Sequence, residues 1–134
     1  MSQLDVISVV DDDGSVREAI ESLLKSVGYR VELFASAEEF LNTEARQETA
    51  CLILDVRMSG MSGLELQCRL TASNRSIPII FISAHSDENA RARAIAAGAI
   101  AFLQKPFSEE ALLDAINACL ARSRGGRVEG QHPV

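Results

Sequence analysis

Aspartates at two places in the chain have the type and spacing needed to hold a divalent cation. Asp11, Asp12 and Asp13 follow directly after an apolar run, and Asp55 ends a second apolar run at residues 52–54. If both runs are neighbouring parallel strands, their carboxylates meet at one edge of the sheet, where that much negative charge requires a cation. Magnesium accepts one or two carboxylates together with a phosphoryl oxygen. The spacing therefore predicts a magnesium-binding phosphorylation site.

Asp11 and Asp12 are the candidate metal ligands, with Asp55 close enough to share the ion. A carboxylate beside such an ion can act as a nucleophile and form an aspartyl phosphate. The alternative for the three adjacent aspartates is a solvated turn before a helix, but that interpretation leaves Asp55 unexplained. Asp13 itself is expected to be a helix-entry residue rather than a ligand.

Two further side chains are expected at the same edge. Lys105 follows the last predicted strand, so its ammonium can reach a phosphoryl oxygen as a point charge. Ser83 ends the fourth predicted strand and offers a hydroxyl. The alternatives are a surface lysine and a small residue that closes a strand. Pro106 leaves open a cis Lys105–Pro106 peptide bond.

The elements that must position these residues alternate along the chain. Apolar runs and stretches of helical period predict an α/β fold in which a βα unit is repeated five times. Strands one, three and four are almost entirely apolar, so strands two and five are the expected edges. Right-handed crossovers then give a doubly wound, five-stranded parallel sheet of order 2-1-3-4-5, whose ligand site lies at the carboxyl ends beside the reversal of winding.

Local signals predict where several elements begin and end. A capping box of Ser15 and Glu18 is expected at the start of helix one, with Gly28 at its end. Helix four is expected from about Ser86, and helix five with Ser108 as N-cap. Strands three to five are predicted at residues 51–55, 79–83 and 101–104.

The composition is that of a single globular domain without a membrane span. The chain has 134 residues, 47% hydrophobic and 24% charged. Residues 1–122 are predicted to form the domain, and residues 123–134 a disordered tail or the start of a linker. The sequence shows no export signal, so the expected location is the cytoplasm. The net charge of −6 disfavours direct binding to nucleic acid.

The three cysteines have no spacing that predicts a disulfide framework or a zinc site. We expect Cys51, Cys68 and Cys119 to be buried or half-buried thiols.

Five segments together form a recognisable pattern: Val10-Asp11-Asp12, Leu54-Asp55-Val56-Arg57-Met58, Gly60-Met61-Ser62-Gly63, Ser83-Ala84 and Phe102-Leu103-Gln104-Lys105-Pro106-Phe107. With them the chain resembles a response-regulator receiver domain of two-component signalling, from about residue 5 to residue 122. The sequence of these segments, with His85 after Ser83 and Ala84, is most similar to FixJ-type receivers. The resemblance implies the flavodoxin-like form of the fold.

The resemblance assigns roles by position. It implies that Asp55 is the phosphoacceptor, and that Asp11, Asp12, Asp55 and the backbone carbonyl of Arg57 bind Mg²⁺. It also implies that Ser83, Ala84 and Lys105 bind the phosphoryl group. Ser83 and Phe102 are the implied switch residues. Arg57 and His85 are the implied modulators of water access to the phosphoryl group. Ser59 departs from the family pattern, which usually has proline there, and this change restores freedom in φ and a backbone N–H donor to that loop.

The resemblance implies a switch that assists its own phosphorylation and dephosphorylation rather than an enzyme. A sensor histidine kinase or phosphotransfer protein donates the phosphoryl group, and the surface of helix four, strand five and helix five then engages an effector protein or a second copy. A stand-alone receiver is favoured. The alternative is an excised receiver domain of a FixJ-type DNA-binding transcriptional regulator.

Two other classes of function fit less well. An aspartyl-nucleophile phosphatase of the haloacid-dehalogenase type needs an acid two residues after its nucleophile, where this chain has Arg57. A flavin binder on the same fold needs donors after strand one, where Asp11, Asp12 and Asp13 would repel a phosphate.

Overall fold

The described residues form five strands and five helices in strict alternation. The computed structural model describes residues 6–43, 48–74, 76–84 and 87–129. The elements are β1 Val6–Val10, α1 Gly14–Ser26, β2 Arg30–Phe34, α2 Ala37–Leu41, β3 Thr49–Asp55, α3 Gly63–Ala72, β4 Ile79–Ser83, α4 Glu88–Ala96, β5 Ala101–Gln104 and α5 Glu109–Glu129.

The strands form one parallel sheet in the order β2-β1-β3-β4-β5, as predicted. The register aligns their carboxyl ends: Val10 pairs with Leu54, Asp55 with Ile82, and Ser83 with Gln104. Side chains that follow β1, β3, β4 and β5 therefore emerge at one edge of the sheet. Burial also confirms the predicted order, because β1, β3 and β4 are buried along their whole length.

The hydrophobic core lies on both faces of the sheet, because alternate strand residues point to opposite sides. One face packs against α1 and α5, and the other packs against α2, α3 and α4. The first cluster includes Ile7, Val9, Ile20, Leu24, Ile53, Ile80, Ile82, Leu112 and Ile116. The second includes Val10, Phe34, Phe40, Leu52, Leu54, Leu66, Phe81 and Phe102.

Helix α1 begins with a cap that differs from the predicted one. Asp13 is the N-cap, and its Oδ1 accepts hydrogen bonds from the amides of Ser15 at 2.9 Å and Val16 at 3.4 Å. The predicted capping box of Ser15 and Glu18 was wrong, because the carboxylate of Asp13 already satisfies the first free amides. The prediction that Asp13 is a helix-entry residue is confirmed. Gly28 has φ +95 just beyond the helix, as a left-handed C-terminal stop requires.

Helix α5 begins as predicted and ends later. Oγ of Ser108 accepts a hydrogen bond from the amide of Ala111 at 2.9 Å. The helix then continues to Glu129, past residue 123, from which the sequence predicted a disordered tail or the start of a linker. Extending an existing helix adds a hydrogen bond for each residue fixed, which opposes the cost of two glycines at about 1 kcal/mol each. Residues 130–134 lie outside the described residues.

The cysteines divide into two kinds. Cys51 and Cys119 are buried, whereas Cys68 on α3 is exposed, so the expectation of three buried or half-buried thiols was wrong for Cys68. Burial, and then the neighbouring Cys119, raise the pKa of the Cys51 thiol well above its usual value. Cys51 is accordingly a packing residue held as the neutral thiol.

Within the described part of the chain, no helix has the length and apolar character needed to cross a lipid bilayer.

Candidate functional site

Three carboxylates converge at the carboxyl edge of the sheet. Asp11 and Asp12 directly follow β1, and Asp55 is the last residue of β3. One carboxylate oxygen from each lies within 4.8 Å of the others. Asp11 and Asp55 are buried and Asp12 is exposed, so the cluster opens to solvent on the Asp12 side. The predicted convergence of these three residues is confirmed.

Lys105 supplies the positive charge of the cluster. Its Nζ lies 3.0 Å from Oδ2 of Asp11 and 3.7 Å from Oδ1 of Asp55. The side chain is only 18% exposed, and the Lys105 amide donates to the carbonyl oxygen of Ser83 at 2.7 Å. The ammonium is therefore directed into the site and away from solvent. The peptide bond from Lys105 to Pro106 is cis.

Asp11 is held from several directions. The amide of Asp13 donates to Oδ1 of Asp11 at 2.9 Å, and the ammonium of Lys105 donates to Oδ2 of Asp11. Nη1 of Arg17 donates to the Asp11 carbonyl oxygen at 2.6 Å. Since outer hydrogen bonds of this kind orient a metal-binding carboxylate, the orientation of Asp11 is set before any ion enters.

Asp55 is the carboxylate most perturbed by its surroundings. Burial, and then the nearby charge of Asp11, raise its pKa from 3.8 to about 7, although the charge of Lys105 acts in the opposite direction. A buried carboxylate beside another of the same charge is destabilised in its ionised form. A cation in this site would lower that pKa and keep Asp55 ionised.

The chain leaves β3 through a tight crossing at Gly63. The amide of Gly63 donates to the carbonyl oxygen of Val56 at 2.9 Å. A Cβ atom at Gly63 would overlap the carbonyl oxygen of Asp55. Glycine is therefore required here because two backbone segments approach closely, and not because of an unusual dihedral angle.

The remaining residues predicted to bind phosphate or to switch lie around the same edge. Ser83 ends β4 and is buried, and Ala84 follows it and is exposed. The ring of Phe102 on β5 is buried, with its centroid 6.2 Å from that of Phe81. The guanidinium carbon of Arg91 lies 6.0 Å from the Phe102 centroid, and its Nη1 donates to the Phe102 carbonyl oxygen. Their roles in switching stay predictions.

The two predicted modulators have different outcomes. Nη2 of Arg57 forms an ion pair with Oδ2 of Asp87 at 2.6 Å. Asp87 is also the N-cap of α4, where it accepts from the amide of Ala90 at 3.0 Å. The hydrogen bond from Ala90, and then Arg57, hold the pKa of Asp87 below its usual value. The loop after Asp55 is thereby connected to the start of α4. His85 lies outside the described residues.

The loop after β3 makes two contacts that sequence reasoning missed. The amide of Ser59 donates to Oδ2 of Asp12 at 3.3 Å, and the amide of Met61 donates to Oε2 of Glu38 at 3.1 Å. Gly60 stands between them with φ +77. The one signal that could have pointed to this contact is the departure at Ser59, which has an amide hydrogen that proline lacks.

The donor set fits a hard divalent cation. It consists of three carboxylates, two of them buried, open to solvent on one side and without a nearby thiolate or imidazole among the described residues. Oxygen ligands with room for water are what Mg²⁺ prefers. Asp11, Asp12 and Asp55 are therefore the side chains that would hold it.

Comparisons with known proteins agree with this geometry. The family model of the response regulator receiver domain matches residues 7–117. Response regulator protein TmoT of Ectopseudomonas mendocina is 52% identical over 118 residues, which cover 88% of this chain and 54% of TmoT. Transcriptional regulatory protein FixJ of Azorhizobium caulinodans is 39% identical over 117 residues, 87% of this chain and 56% of FixJ.

Among solved structures, that of response regulator StyR has a TM-score of 0.87 and 49% sequence identity, covering 96% of this chain and 65% of that one. The chain spans about half the length of the curated relatives it matches.

Proposed function

Since this chain belongs to the response-regulator receiver domain family of two-component signalling, we propose that it accepts a phosphoryl group on Asp55 from the phosphohistidine of a sensor kinase or phosphotransfer protein. The observation that carries the proposal is the convergence of Asp11, Asp12 and Asp55 with Lys105 at one edge of the sheet. A carboxylate nucleophile, oxygen ligands for a metal and a cation for the phosphoryl oxygens are thus within reach of one another.

In the transfer, one carboxylate oxygen of Asp55 attacks phosphorus. The bond from phosphorus to the donor histidine nitrogen breaks with its electron pair staying on that nitrogen, and the histidine, which carries a proton on its other ring nitrogen, leaves as the neutral imidazole. Asp55 must be ionised to attack, and the charge of Lys105 favours the ionised form. The ammonium of Lys105 also lies where it can pair with an oxygen of the incoming group.

Asp11, Asp12, Asp55 and the backbone carbonyl of Arg57 would hold Mg²⁺. A bound magnesium ion supplies positive charge that offsets the charge of the phosphoryl oxygens. Asp11 and Asp12 serve the transfer by placing that charge beside Asp55.

Phosphorylation adds a charge of about −1.5 to −2 at the end of β3. We assign Ser83 and the amide of Ala84 to binding the new oxygens, and Phe102 to transmitting the change toward the surface formed by α4, β5 and α5. Ile95 on α4 is 44% exposed, so this surface carries apolar area for an effector protein or for a second copy of the chain. The hydrolysis that resets the switch is self-assisted, and we do not assign the chain a multiple-turnover enzymatic role.

A second candidate concerns the output. The chain spans about half the length of relatives that include proteins named as transcriptional regulators. This favours a receiver that controls the DNA-binding segment of a longer regulator over the stand-alone receiver that the sequence suggested.

The test is incubation with a small-molecule phosphodonor and Mg²⁺, followed by intact-mass measurement. Wild type should gain one phosphate that is lost on standing, and Asp55→Asn should gain none. Labelling of Asp55→Asn would refute the acceptor assignment. Steady turnover of a phosphomonoester, rather than labelling of the chain, would instead support a phosphatase of the haloacid-dehalogenase type.

A further inference from the structure

The amide of Ser59 lies against the one exposed carboxylate of the acidic cluster. It donates to Oδ2 of Asp12 at 3.3 Å, across 47 positions of the chain. Asp11 is already oriented by Asp13 and Lys105, and Asp55 is fixed at the end of a buried strand. Within the described part of the chain, the Ser59 amide is the hydrogen-bond donor that contacts the Asp12 side chain.

The loop is held in place at a second point. Two residues after Ser59, the amide of Met61 donates to Oε2 of Glu38 on α2 at 3.1 Å. The same oxygen lies 2.9 Å from where a Cβ atom of Gly60 would stand. Glycine at residue 60 therefore permits both the positive φ and the close approach of Glu38, and the loop is anchored to α2 beside the point where it meets Asp12.

We propose that the backbone amide of Ser59 is a positioning group for the metal site, which holds the Asp12 carboxylate toward Asp11 and Asp55, with Glu38 anchoring the loop that presents it. The inference deepens the proposed function and rests on its Mg²⁺ site. A carboxylate with a fixed orientation loses less rotational freedom when it binds an ion.

The chain offers closely matched variants. Ser59→Pro removes the amide hydrogen, whereas Ser59→Ala keeps it and removes only the exposed hydroxyl. Glu38→Ala removes the anchor of the loop. Glu39→Ala makes the same change of charge at the next residue, whose Oε1 accepts from Ala35 and not from the loop.

The experiment is titration of each variant with Mg²⁺ by calorimetry, without any phosphodonor. Outer hydrogen-bond partners of metal ligands typically change affinity by about 10–100-fold. We expect Ser59→Pro to weaken Mg²⁺ binding by about tenfold and Glu38→Ala to weaken it less, with Ser59→Ala and Glu39→Ala near wild type. Equal affinity of Ser59→Pro and Ser59→Ala, or tighter binding by Ser59→Pro, would overturn the inference.

Mg²⁺ binding by wild type distinguishes a failure of this inference from a failure of the proposed function. If wild type binds Mg²⁺ and Ser59→Pro binds equally well, only the role of Ser59 fails. If wild type does not bind Mg²⁺, the proposed metal site fails and this inference fails with it.

A measurement in metal-free protein covers the case in which Ser59→Pro does not fold. Amide hydrogen exchange at Ser59 should speed up about fivefold in Asp12→Ala, the loss expected for one hydrogen bond. Exchange at Met61, which is bonded to Glu38, should change little. Unchanged exchange at Ser59 would also overturn the inference.

Discussion

Nζ of Lys105 lies 3.0 Å from Oδ2 of Asp11, although 94 positions along the chain separate the two residues. The same ammonium lies 3.7 Å from Oδ1 of Asp55. The two carboxylates therefore share one ammonium group, without which they would repel each other in a mostly buried site.

Replacing Lys105 should shift the ionisation of Asp55. Lys105→Met removes the nearby positive charge, which is the one interaction that lowers the pKa of Asp55, so that pKa should rise above about 7 in metal-free protein. Carboxyl carbon shifts followed by NMR during a pH titration would measure it. Lys25→Met is the control, because Lys25 pairs with Glu21 on α1 and should leave Asp55 unchanged.

Metal-free protein should lose stability as the pH rises from about 4 to about 7. The pKa of Asp55 is about 7 in the folded chain against a usual value of 3.8, so over this interval the unfolded chain releases a proton that the folded chain keeps. The stabilisation that Asp55 contributes is therefore fully present below its pKa in the unfolded chain. It is lost as the pH rises through its pKa in the folded chain.

Urea unfolding in the presence of a chelator would measure the pH dependence of the free energy of unfolding for wild type and Asp55→Asn. The free energy of unfolding of wild type should fall relative to that of Asp55→Asn as the pH rises. A constant difference across the interval would contradict the raised pKa. Added Mg²⁺ should recover stability in wild type, because it binds the folded state.

Gly63→Ala should disturb the end of β3 directly. A methyl group there overlaps the carbonyl oxygen of Asp55, and forced overpacking typically costs about 1–3 kcal/mol. We expect a lower free energy of unfolding together with weaker Mg²⁺ binding. Gly98→Ala is the control: Gly98 has φ +105 but open space around it, so that variant should lose stability and keep its affinity for Mg²⁺.

The ion pair of Arg57 and Asp87 should contribute less to stability than the helix cap that shares the same carboxylate. Arg57 is 58% exposed, and solvent screens such pairs strongly. Asp87→Ala also removes the acceptor for the Ala90 amide. It should therefore lower the Tm more than Arg57→Ala does, by calorimetry in the same buffer. A larger loss for Arg57→Ala would contradict this ranking.

Much of the sheet was predictable because hydrophobic pattern and chirality constrain it strongly. The runs that precede Asp11 and Asp55 are apolar enough to require central strands, and right-handed crossovers then place both residues at one edge. The neighbourhood of Asp11, Asp55 and Lys105 follows from that topology.

Features that depend on the exact path of a loop were not predictable. Asp13 and Ser15 are both good N-cap types, and only the backbone geometry decides between them. The contacts of Ser59 with Asp12, of Met61 with Glu38 and of Arg57 with Asp87 join residues far apart in sequence. No local pattern encodes them. The continuation of α5 was not predictable either, because its two glycines favour the end of a helix and the helix runs through them.

The long separation of Asp11 from Lys105 has a consequence for protein synthesis. A growing polypeptide on the ribosome carries the acidic residues long before the strand that delivers the lysine, and contacts of such separation form late. A half-made or truncated copy therefore has the negative charges without their cation. Only a copy whose last strand has docked brings the ammonium of Lys105 beside Asp11 and Asp55, so the charge-balanced cluster forms only when the sheet is complete.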